Sequence, residues 1–118
     1  MDTTWQAEVS LELQAARKAA RDNLAGRSRV SARRAAGRAV KEYFNQIGKK
    51  QYASNFYDLL VEFAREPVIP DDIRTVAQHL VQRVDQDHRL PMPVDLAAEA
   101  EYLFHYIRNF IDHRKAEG

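Results

Sequence analysis

The stretch ARRAAGRAVKEYFNQIG, residues 32–48, places Ala32, Ala35, Ala36, Ala39, Val40, Tyr43, Phe44 and Ile47 at alternating steps of three and one. That rhythm is one face of an amphipathic helix; a strand would need apolar residues at every second position. Small side chains in its first half let a neighbouring helix come close, whereas Tyr43 and Phe44 fill wider space at the far end. Gly48 follows as the residue best suited to a helix C-terminal cap.

Working outward, Trp5, Val9, Leu13, Ala16, Ala20 and Leu24 make a similar stripe, which predicts a first helix over 4–25. Gly26 is expected to end it and Ser28 to cap the second helix, so that the two form an antiparallel hairpin. Past the basic turn at residues 48–50, Phe56, Leu59, Leu60 and Phe63 predict a short third helix over 55–65, with Ser54 as its cap. Pro67 and Pro70 close that helix. Pro70, Asp71 and Asp72 open a fourth: proline suits a first helical turn, and carboxylates favour the positive end of the helix dipole. Its apolar face continues through Val84 to about residue 85.

Pro91 and Pro93 make residues 86–93 a connector, and Asp95 caps a last helix that ends near His113. No strand alternation or internal repeat interrupts this order. The expected fold is therefore all-α: a single domain over 1–118, built as an up-and-down antiparallel bundle of four long helices and one short one. Phe104, Tyr102, Tyr106 and Phe110 do not fit a single narrow seam of the last helix, which leaves two readings on an equal footing, a homodimer that covers the surplus or a broad stripe covered by the short third helix.

Composition agrees with helices, at 45% hydrophobic and 30% charged residues with only four Gly and four Pro among 118. The absence of Cys excludes disulfides, thiolate zinc sites and cysteine nucleophiles. The opening MDTTWQAEVSLELQ lacks a secretory profile and no run is apolar enough for a membrane span, so cytoplasmic residence without membrane association is expected. Net charge is +1, yet residues 1–50 carry eleven Lys or Arg against five Asp or Glu (+6), and residues 51–118 seven against twelve (−5). This asymmetry suits an anionic ligand on the first helical pair, neutralisation of one part of the domain by the other, or copies docking head to tail.

ARRAAGRAVKEYFNQIG, and DHRLPMPVDLAAEAEYLFHYIRNFI further on, resemble the HEPN family, small prokaryotic helical domains often encoded beside a minimal nucleotidyltransferase. The first segment is similar to the family's alanine-rich helix, the second to its Arg-aromatic-Pro connector and alanine- and acid-rich final helix, and together the features extend over nearly the whole chain. Gly37 stands where many members have Glu, and Leu90 where the connector usually has Tyr. The resemblance implies a HEPN-like bundle, a nucleotidyltransferase partner, a toxin–antitoxin or defence setting, and RNA or nucleotide binding.

Some HEPN members resemble metal-independent ribonucleases in which an Arg and a His four to six residues apart act on a phosphate. The histidine moves protons and the arginine steadies phosphate charge. Arg74/His79, Arg83/His88 and Arg108/His113 all have a four-residue gap, where roughly 0.4 pairs are expected by chance. Residues five apart on an unbroken helix point about 140° away from each other, so convergence favours Arg83 and His88, between which a helix is expected to end. Arg108 and His113 are the second catalytic candidate, with Asn109 following Arg108. Arg89 is a phosphate-binding candidate, although cations at a helix end also complement its carbonyls. No tyrosine lies two residues beyond either histidine: Leu90 and Lys115 stand there.

Arg27, Arg34, Arg38 and Lys41, spaced by seven, four and three, share one face of the second helix and form a second phosphate-binding candidate, against the commoner reading of a solvated face. No metal-ligand spacing, phosphate loop or cofactor signature is expected. Three readings follow: a HEPN-like partner of a nucleotidyltransferase, a metal-independent ribonuclease toxin, or a dimeric helical scaffold without nucleotide chemistry.

Overall fold

Small side chains give the second helix its place in the domain: α2 (Ala25–Gln46) packs against every other helix, with Ala32, Ala35, Ala36, Ala39 and Val40 fully buried along it. The computed structural model describes residues 4–49, 55–82 and 95–117. Besides α2 these comprise α1 (Thr4–Arg21), α3 (Phe56–Ala64), α4 (Asp71–Leu80) and α5 (Leu96–Glu117), with no strand among the described residues.

The turn between α1 and α2 departs from the sequence expectation. The first helix stops at Arg21 rather than 25, and Asn23, with φ of 61°, takes the left-handed conformation expected of Gly26. Asn23 N–H donates to the Ala20 carbonyl at 3.1 Å and Leu24 N–H to that of Ala19 at 2.8 Å, which satisfies two carbonyls that the helix end would leave open. Asparagine tolerates this conformation better than other non-glycine residues. Gly26 therefore falls in the first turn of α2, and Ser28 is no cap: its hydroxyl donates to the Ala16 carbonyl at 2.8 Å and pins α2 to α1. That contact and the ion pair of Glu8 with Arg38 bring residues 16 and 8 to residues 28 and 38, so the hairpin is antiparallel.

Gly48 ends α2 as expected, at φ of 72°, with its N–H donated to the Asn45 carbonyl and that of Lys49 to Phe44. Asn55, not Ser54, is the cap of α3, accepting from Asp58 N–H at 2.8 Å; Ser54 lies outside the described residues. Phe56 packs over Gly37 and Phe63 over Phe44, so α3 advances in the same sense as α2. The two are clamped at their ends by Lys49, which pairs with Glu62 and Glu66.

α4 begins at Asp71 as its proline and carboxylates predict but ends at Leu80, short of residue 85, so three helices are long and two are short. Val84, expected on its face, lies outside the described residues. At its end Arg33 of α2 donates Nε to the Leu80 carbonyl at 2.9 Å and a terminal nitrogen to that of Gln82 at 3.3 Å, its guanidinium 5.7 Å from the Tyr57 ring centroid. A cation on the open carbonyls of a helix C-terminus is favourable both by hydrogen bonding and by the dipole.

Asp95 caps α5, accepting from Ala98 N–H at 3.1 Å, and the helix runs to Glu117 instead of stopping near His113. Arg114, Lys115 and Ala116 are good helix formers, and Arg114 also donates to the Gln46 carbonyl across the bundle. The aromatic surplus on α5 is largely absorbed by the domain itself. Phe104 meets Trp5 of α1 edge-on at 5.6 Å, Phe110 meets Tyr43 of α2 at 5.1 Å, and Tyr106 is partly buried against the core. Only Tyr102, 52% exposed, remains outside.

Candidate functional site

α4 and α5 lie side by side in opposite senses, joined at one end by Asp72 with Tyr102 and at the other by His79 with Glu99. The register follows from sequence: Asp72 and His79 are two turns apart on α4, while Glu99 and Tyr102 are neighbours on one face of α5. His79 Nδ1 donates to Glu99 Oε1 at 2.8 Å. The Tyr102 hydroxyl donates to Asp72 at 2.6 Å, and this bond to the carboxylate raises the phenol's pKa.

Between these pairs runs a groove of about 590 Å³ with Val76 and Ala98 on its floor and Asp72, Asp95 and Glu99 along its walls. It continues past Tyr102 into a second hollow of about 250 Å³ beside His105, Tyr106 and Asn109. No Lys or Arg lines either part. Such a surface repels phosphate and attracts cations.

A chain of charges runs from α1 along α5. Arg17 pairs with Glu101, Glu101 accepts from His105 Nε2 at 3.4 Å, and His105 Nδ1 accepts from Arg108 at 2.9 Å. Arg108 also covers the Phe104 ring at 5.4 Å. Burial first, then the nearby Arg108 and Arg17 guanidinia, depress the His105 pKa and favour the neutral ring.

Compared with protein-family models, curated proteins and solved structures, the chain finds no match.

The Arg–His pairs read from sequence separate once the helices are in place. Arg74 is held by Asp71 and His79 by Glu99, on an unbroken α4. Arg108 is held by His105 and Phe104, while His113 donates Nδ1 to the Asn109 carbonyl at 2.7 Å, on an unbroken α5. Arg83, His88 and Arg89 lie outside the described residues; α4 already ends before Arg83. On α2, Arg27, Arg34 and Lys41 are exposed, but Arg38 is committed to Glu8 and Glu42 and is not part of an open cationic face.

Two associations escaped the sequence reading. His79 and Glu99 are twenty residues apart and no local spacing announces them. His105 and Arg108 stand at a helical i, i+3 spacing that was legible, though the histidine precedes the arginine, the reverse of the order sought. Among the described residues no three His, Asp or Glu side chains stand together as metal ligands, and no helix is long and apolar enough to cross a membrane.

Proposed function

We propose that the chain is a HEPN-like up-and-down bundle that acts as a homodimeric, non-catalytic partner of a nucleotidyltransferase in a toxin–antitoxin or defence pair, with RNA or nucleotide bound by the complex. One observation carries the non-catalytic part: each described Arg–His pair is divided between separate partners, Asp71 against Glu99 in one case and His105 against the Asn109 carbonyl in the other. Metal-independent phosphodiester cleavage needs both side chains on one phosphate. The bundle reading draws support from the senses of the helices. α1 opposes α2, α4 opposes α5, and Tyr43 with Phe110 and Gln46 with Arg114 run α5 alongside α2, with the short α3 inserted between α2 and α4.

Affinity purification of the tagged chain from its native host is expected to retain a protein with nucleotidyltransferase sequence motifs, and its absence at high protein concentration overturns the partner assignment. In EDTA the purified chain is expected to leave RNA intact. Cleavage by the wild type that is lost in His88→Ala would establish instead a ribonuclease built on Arg83 and His88.

A further inference from the structure

The groove between α4 and α5 is walled by Asp72, Asp95 and Glu99 and floored by Val76 and Ala98. A ligand suited to it sets an apolar side chain on Val76 and Ala98 and cations beside the carboxylates. The chain carries such a surface itself. Along the outer side of α2, Arg27, Val30, Arg34 and Lys41 are all exposed, and Val30 keeps 42% of its surface in solvent between two arginines.

The dimensions agree as well. Arg27 to Arg34 spans seven residues of helix, about 10 Å at 1.5 Å per residue, and the carboxylates of the groove follow α5 from Asp95 to the Asp72–Tyr102 pair, again seven residues. The signs are opposite as well, with arginines on the stripe and carboxylates in the groove. Neither surface can satisfy the other within one molecule, because α5 packs on the buried side of α2, away from the stripe.

From this geometry we infer that the α4–α5 groove is an interface for a second copy of this chain, which enters with the Arg27–Val30–Arg34 stripe of α2. The inference rests on the homodimer reading above and names its faces. Val30 of one copy lies on Val76 and Ala98 of the other, Arg34 approaches Asp72, and Arg27 faces Asp95. The pairing is strongest at low ionic strength, since charges separated by more than about 8 Å are screened at physiological salt.

Sedimentation velocity of the intact protein over a wide concentration range, at low and at high salt, tests this first without any substitution. Self-association about tenfold or more weaker at high salt is expected. Arg34→Glu and Asp72→Lys then each abolish association alone, while an equimolar mixture of the two restores it, because every mixed pair contains one native stripe on one native groove. Tyr102→Phe, which removes the bond to Asp72 without changing charge, leaves association near the wild-type level. A wild type that stays monomeric at every concentration defeats both the dimer and its faces. A wild type that associates regardless of salt and of both reversals keeps the dimer and defeats this pairing. Should Asp72→Lys lower helicity by circular dichroism, the salt dependence and Arg34→Glu decide alone.

Discussion

At Gly37 a side chain is missing for a reason that lies in another helix. A Cβ built there falls against Phe56 Cβ and 2.6 Å from Phe56 Cγ, and the start of that ring is fixed too near its own backbone to swing aside. Gly37→Ala gains the helix propensity of alanine, about 0.5–1 kcal/mol, but forces α3 off α2 at an overpacking cost of about 1–3 kcal/mol. We expect a net loss of about 1–2 kcal/mol in urea unfolding, read from a lower midpoint at unchanged slope; a variant as stable as the wild type would mean that α3 shifts freely. His105 carries a second prediction at this scale. Its pKa is depressed in the folded protein by burial, Arg108 and Arg17, against an unfolded value of about 6.5. Its contribution to stability is therefore present above about pH 6.5 and lost as pH falls toward the folded value. His105→Gln should flatten the dependence of stability on pH between about 7.5 and 5.5, and identical slopes for both proteins would show that burial, Arg108 and Arg17 together exert no net effect on the ring.

Helix ends are the scale at which local chemistry and tertiary demand competed. Asn55 and Asp95 cap α3 and α5 through their own side chains, and Gly48 closes α2, each with a local signature that makes its position intelligible. The start of α2 is different, with Leu24 in the capping position and no side-chain bond to the first turn. What fixes it is the Asn23 turn behind it and the Ser28 anchor to α1, and neither is visible as a cap in the sequence. Removing a side-chain cap has a measurable effect: Asn55→Ala should lower stability by about 1 kcal/mol, within a range of about 0.5–2. Hydrogen exchange at Asp58 N–H, the acceptor's donor, should quicken in step, and protection unchanged there would show that the cap bond is dispensable. α4 illustrates the opposite case. Its apolar periodicity runs past Leu80, but Arg33 takes the carbonyls of Leu80 and Gln82 and the helix closes early.

Over the whole molecule, the sequence by itself determined the order and approximate extent of the helices among the described residues, because apolar spacing and capping residues act within one or two turns. It also determined the alanine-rich centre: Ala32, Ala35, Ala36 and Ala39 are fully buried where α2 meets its neighbours. By periodicity alone the aromatic residues of α5 are a surplus, because periodicity measures a width of face and not how many helices share it. Trp5, Tyr43 and the core take Phe104, Phe110 and Tyr106, and only Tyr102 is left at the surface. Tertiary structure alone decided which charges are free. Arg38 on the basic stripe is matched by Glu8 from another helix, and His79 is matched by Glu99 twenty residues on. The physical reason is range: a cap or an apolar stripe is a local property of the chain, whereas a charge belongs to whichever partner the fold brings within hydrogen-bonding distance.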